Sequence, residues 1–197
     1  MRPSVLFGAL LALLVSVGCA GPLSTRSVPS TPVPAKAMRV LASSAVPGVP
    51  SVTIELTVRE LAKDASIPGL ASRLASWGYL DGLERTFQGP SRHLTLVVSR
   101  SLVFRNPSGA RSFVAFVLKN SGSYFGSVVQ VHRLMAQGRS GWVFTPPLCA
   151  CHLANPALIG VLDAGSDVVW LEINGPDATS ALLVRLLDPN RSVPSHL

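Results

Sequence analysis

Acidic residues are scarce in this sequence, and between Arg85 and Leu162 there are none. The same stretch carries Arg85, Arg92, Arg100, Arg105, Arg111, Lys119, Arg133 and Arg139, and the 197-residue chain has a formal net charge of +7. The acids crowd early or late, so spacing offers no paired carboxylates of the kind glycoside hydrolysis uses. Other enzyme signatures are missing too. Ser101, Ser108 and Ser140 sit in no Gly-x-Ser-x-Gly elbow, no Ser-x-x-Lys pair occurs, and there is no phosphate-binding loop or dinucleotide fingerprint. The expectation is a protein that is not an enzyme and has no cofactor, with an envelope hydrolase of dispersed site and no recognisable motif as the alternative. Only three lysines accompany fourteen arginines, among abundant Ala, Val, Gly and Pro, a bias that fits the codon supply of a GC-rich bacterium.

Long apolar runs are also lacking. The longest, Val5 to Val17, is 13 residues, well short of the roughly 20 that a membrane-spanning helix needs. It follows Arg2 and runs into Ser16-Val17-Gly18-Cys19-Ala20, the layout of an export signal with a positive start, an apolar centre and small residues at the cut. Two cleavage readings stand. One, implied by the resemblance of Gly18-Cys19 to the lipidation motif of bacterial lipoproteins, makes Cys19 the first mature residue, carrying a lipid; the other cuts after Ala20 and releases a free secreted protein. The first is the working expectation: residues 1–18 as signal, 19–50 as lipidated cysteine and tether, 51–190 as the folded domain, 191–197 as a tail. Pro22 to Pro50 holds six prolines among Ser, Thr, Ala and Val without apolar periodicity, as an extended spacer would. Met38 to Leu41 is its one segment with the character of an edge strand.

High aliphatic content and a low charged fraction then call for a well-buried body. Val52 to Val58 alternates apolar and polar residues as a half-buried strand does, with the alternative that a helix reaches back into it from Glu60–Asp64. Ser66-Ile67-Pro68 predicts a helix start and Gly78 its end. Leu83–Gln88 and His93–Phe104 predict an antiparallel pair, and Asn106-Pro107-Ser108-Gly109 a break before a helix over Ala110–Lys119. Ser127–Leu134, Gly141–Thr145, Ala157–Leu162 and Asp167–Ile173 predict further strands, the last two joined through Asp163-Ala164-Gly165-Ser166. Asp177 is the expected cap of a terminal helix, Ala178–Leu187. The class expected is α+β, a mostly antiparallel sheet with about three packed helices in a single domain. The two strand–break–helix steps, ending in the Phe113 and Leu182 helices, echo one another as two related halves would.

Three features carry chemistry. The acid-free stretch reads either as a basic contact face (Arg85, Arg92, Arg100, Arg105, Arg111, Arg133, Arg139) for an envelope protein, anionic lipid or polymer, or as arginines scattered over several faces. Nucleic acid is a poor candidate partner, given export and aromatics that do not interleave with the basic residues. Cys149-Ala150-Cys151-His152 reads as a disulfide between Cys149 and Cys151, as separate inert thiols, or as soft ligands for copper or zinc completed by His93, His132 or Met135. Tyr124-Phe125, flanked by Gly122 and Gly126, reads as a ligand mouth or membrane contact, or as a lid folded on the sheet. Trp77, Trp142 and Trp170 are core candidates.

Gly18-Cys19 with Val17 at −2 resembles the lipidation motif of bacterial lipoproteins, from which Ser16 at −3 departs, since Leu, Val or Ile is usual there. The resemblance implies diacylglycerol on Cys19, palmitate in its acyl chains, and a place on the extracytoplasmic face of the cell membrane. The Asn106–Phe113 strand-to-helix step and the Asp167–Ile173 strand before a terminal helix resemble actinobacterial envelope lipoproteins with sandwich domains similar to PsbP and Mog1 proteins. That likeness implies a binding or accessory role and assigns no residue a task.

Overall fold

The computed structural model describes residues 39–47, 49–65, 67–88, 94–125, 129–147 and 157–188. The export signal, Cys19, Arg92, His93, Cys149, Cys151, His152 and the 191–197 tail lie outside them. Twelve elements follow in order: β1 (Ser51–Glu55), α1 (Val58–Ala65), α2 (Leu70–Ser76), β2 (Tyr79–Gln88), β3 (Leu96–Phe104), α3 (Pro107–Lys119), α4 (Ser121–Phe125), β4 (Gln130–Ala136), β5 (Arg139–Thr145), β6 (Ala157–Ala164), β7 (Asp167–Asn174) and α5 (Ser180–Leu186). The fold is α+β, as the patterning implies, with five helices among the described residues rather than about three.

One seven-stranded, wholly antiparallel sheet has the order β1-β2-β3-β7-β6-β5-β4. Two meanders, β1 to β3 and β4 to β7, meet along the β3–β7 seam, where Leu96 pairs with Asn174 and Val103 with Asp167. Alternation along β7 sends Val168 and Trp170 to one face and Val169, Leu171 and Ile173 to the other. Both sets are buried, so Val168 to Leu171 form a continuous apolar run at the centre of the sheet. Helices α1 to α4 cover the first face through Leu61, Leu70, Leu74, Ala110, Phe113 and Val117. Helix α5 covers the second through Leu182, Leu183 and Leu186. Helices α3 and α5 therefore follow adjacent antiparallel strands yet lie on opposite faces.

Several boundaries move for local reasons. The strand expected through Val58 stops at Glu55 because a reciprocal cap starts α1: Thr57 N–H donates to Glu60 Oε2 (3.2 Å) and Glu60 N–H to Thr57 Oγ1 (3.3 Å). Gly69, at φ +75°, precedes α2 and leaves Pro68 outside the helix. Thr179, not Asp177, caps α5 by accepting from Leu182 N–H (3.2 Å).

The largest departure lies before β1. Residues 39–47 and 49–50, assigned above to the tether, pack against the α5 face of the sheet as a strap. Val40, Leu41, Ala45 and Val46 are buried. Leu41 N–H donates to Ser99 Oγ (3.0 Å), Arg85 Nη1 donates to the Leu41 carbonyl (2.6 Å), and Arg39 Nε lies 3.3 Å from Asp167 Oδ2. The folded body thus begins by Arg39, not at Ser51. Its irregular backbone finds partners in side chains of β2 and β3, which no sequence periodicity announces.

Tyr79 ties β2 to the turn before α1, its hydroxyl donating to the Leu56 carbonyl. Burial, with the nearby Asp81 and Glu60 charges, holds its phenol pKa well above the ordinary value. The unfolded chain ionises near pH 10 while the native phenol stays protonated, so stability present below that pH falls as pH rises beyond it. Tyr79→Phe is expected to cost about 1 kcal/mol at pH 7 and to flatten the loss between pH 9 and 11, read from denaturant midpoints.

Candidate functional site

Of the four helices on the first face of the sheet, α1 carries both signs, with Glu60 and Asp64 beside Arg59 and Lys63, while α2 to α4 carry only one. Along α2, α3 and α4 the charged residues are Arg73, Arg111 and Lys119, all basic and all exposed. Arg111, Ala115 and Lys119 recur at i, i+4 and i+8, so one exposed stripe of α3 carries both cations. Arg73 flanks it from α2, its guanidinium 5.4 Å from the Phe116 ring centroid, a stack that holds the charge at the α2–α3 junction. The stripe is positioned by its buried reverse side. Asn106 Oδ1 accepts from Gly109 N–H (2.9 Å) to start α3, and Trp77 meets Phe113 and Phe116 at 6.4 and 5.3 Å.

Beneath the helices a cross-strand row runs Glu84, Arg100, Trp170, Val161, Trp142, Arg133. Arg100 Nε lies 2.5 Å from Glu84 Oε2, and its guanidinium is 5.5 Å from the Trp170 ring. Arg133 lies 4.7 Å from the Trp142 ring at the outer strand. Each arginine is thus held against an aromatic face, but Arg100 is spent on an internal ion pair while Arg133 is exposed.

The arginines singled out by the acid-free stretch therefore divide. Arg85 lies on the strap face, donating to Thr53 Oγ1 (2.9 Å) as well as to Leu41. Arg100 lies on the helix face, half-buried. Arg105 and Arg111 are exposed, as is Arg133 on β4, and Arg139 is partly exposed at the start of β5. Arg111 is the one that joins the helix stripe. Arg73 was missed because it precedes the acid-free stretch; its outward position between Leu70 and Leu74 was the available signal.

Tyr124 and Phe125 fold onto the sheet. Tyr124 lies 6.2 Å from Trp170, and Phe125 4.8 Å from Phe144 and 5.5 Å from Trp170. Short helix α4 makes them a lid, so the ligand-mouth reading gives way. Trp170 is buried, while Trp77 and Trp142 are half-buried in the same core. The buried polar atoms Ser101 Oγ and Trp170 Nε1 have no hydrogen-bond partner among the described residues; they lie on opposite faces of the sheet and build no common site. His132 and Met135 are exposed on β4, and no described group of three His, Cys, Asp or Glu side chains converges. No described helix is long and apolar enough to cross a membrane.

No protein-family profile matches the chain, and no curated protein matches it. Among solved structures, the extracellular domain of PknH from Mycobacterium tuberculosis is similar to it in part, at 12% identity and a TM-score of 0.34, over 70% of this chain and 79% of that one. A likeness of that degree carries no argument about what this chain does.

Proposed function

We propose that this chain is a lipid-tethered, extracytoplasmic accessory domain without catalytic activity, which meets anionic head groups or acidic envelope polymers through α2, α3 and α4. The observation that carries the reading is the wholly basic charge of α2 to α4, with Arg73, Arg111 and Lys119 gathered on and beside one exposed stripe. The Arg2-to-Ala20 export layout supports the address and Cys19 supplies the anchor.

Near an anionic surface each Arg or Lys contributes about 1 kcal/mol. Unlipidated Cys19→Ser protein is therefore expected to bind vesicles containing phosphatidylglycerol, to bind more weakly as salt rises, and to lose about a hundredfold in affinity when Arg73, Arg111 and Lys119 are all changed to Glu. Salt-independent binding, or binding indifferent to the triple change, would refute the contact surface. The anchor has its own test. Metabolic palmitate labelling should vanish in Cys19→Ser, and a wild-type chain that takes up no label would remove the tether.

A further inference from the structure

Among the described residues the outer side of β1 is an open strand edge. Leu56 N–H donates to the Gly82 carbonyl (2.8 Å), and Ile54 and Val52 follow Leu56 at alternate positions opposite Glu84 and Thr86. The amides of Val52 and Ile54 therefore point to β2, while those of Ser51, Thr53 and Glu55 point away from the sheet. Among the described residues nothing pairs with them. Edge strands are ordinarily blunted by proline, lysine, a bulge or an inward charge. Pro50 stands just before the strand and Glu55 at its end, but the positions between them carry no proline or charge, and the β1–β2 register runs without a shift. The opposite edge, β4, displays His132 and Arg133.

Two side chains mark this edge further. Val52 is 66% exposed and Ile54 44%, both on the helix face of the sheet. With Pro50, Glu84, Thr86 and Gln88 they line an open groove of about 400 Å³. Leaving two adjacent β-branched side chains in water forgoes the burial that β-branched residues ordinarily find on a sheet.

We propose that β1 pairs with β1 of a second copy of this chain, antiparallel about a two-fold axis at Thr53. The occupant is indicated by the self-complementary order Ser51-Val52-Thr53-Ile54-Glu55. In that register Thr53 faces Thr53 as a hydrogen-bonded pair, and Val52 faces Ile54 of the second copy on the helix face. Glu55 faces Ser51, so no like charges are opposed. The outward amides of Ser51, Thr53 and Glu55 then all find partners, and the two grooves join across the axis. Five residues a side cover less than the roughly 1,200 Å² of a stable interface. The pairing is accordingly weak, a monomer–dimer equilibrium that responds to local concentration.

Cysteine placement reads the register. Two Thr53 Cα atoms would stand about 5.5 Å apart, within disulfide reach, whereas two Val52 Cα atoms would be separated by about 8 Å, beyond it. The full chain bearing Thr53→Cys is expected to form a disulfide-linked dimer on mild oxidation, at least tenfold above both Val52→Cys and the unchanged chain with its native cysteines. Sedimentation from about 10 μM to about 1 mM should show reversible dimerisation of the unchanged chain. Ile54→Lys, exposed and so neutral to folding, should abolish it with an unaltered melting temperature. Equal crosslinking of the two cysteine variants, a chain monomeric throughout that range, or a dimer indifferent to Ile54→Lys would each overturn the proposal.

Discussion

Gly109→Ala is expected to destabilise the fold by about 3 kcal/mol, the upper end for overpacking a core, while Ser108→Ala beside it changes stability by less than about 0.5 kcal/mol. Gly109 is buried in the first turn of α3, where that turn meets the end of α2. A methyl group there would fall inside contact distance of the Trp77 carbonyl oxygen and 3.1 Å from the carbonyl carbon. Both obstacles are backbone, so no rotamer change relieves them. Helix α3 would have to withdraw, opening the contacts of Phe113 with Trp77 and Phe104, whose ring centroids lie 6.4 and 5.6 Å from it. Thermal melts of the two variants measure the difference. A Gly109→Ala protein as stable as Ser108→Ala would mean that the α2–α3 junction is looser than its geometry.

Leu41→Ala is expected to cost about 2–5 kcal/mol, the range for a fully buried leucine. Leu41 is 1% exposed and packs in the core cluster that also holds Phe87, Val97 and Leu183. Were residues 39–50 a solvated spacer, the same change would cost nothing. Asp167→Asn should add a smaller loss by weakening the Arg39 contact, whose two side chains are 33% and 10% exposed, since a partly solvated pair is worth little. Denaturant unfolding of both variants against wild type would rank the two effects. Equal stability of Leu41→Ala and wild type would return the boundary of the body to Ser51.

The parts of the fold legible in the sequence were those built by local rules. β6 and β7 stood out as apolar runs around Asp163–Ser166, and the structure turns there with Asp163 Oδ1 accepting from Gly165 N–H (3.0 Å) and Gly165 at φ +83°. The Asn106 step into α3 was legible because proline and an Asx cap act within one turn. What depends on distant partners was not. The β3–β7 seam joins residues some 70 positions apart in sequence, and nothing in either strand names the other. The strap has no period because it is neither helix nor strand; Ser99 and Arg85 define its path from β3 and β2. The candidate surface was half legible. The acid-free stretch pointed to Arg111 and Lys119, but Arg73 joins them only through the packing of α2 on α3, and Arg85 and Arg100 prove to be engaged within the body on opposite faces.

The strap also has a mechanical consequence. A pull on the chain from its N-terminal side reaches the described residues first at Arg39, where the load falls on its contacts with Asp167 and the Ala164 carbonyl and on Leu41, held by a hydrogen bond at its amide and another at its carbonyl. These yield one after another, like a seam being unpicked, whereas β1 is joined to β2 along its whole length by a ladder loaded together. Residues 39–50 would therefore pay out ahead of the sheet, lengthening the chain by up to about 40 Å at roughly 3.3–3.6 Å per residue. The body would remain folded while the strap absorbed the strain, making it a built-in shock absorber on the N-terminal side of the sheet.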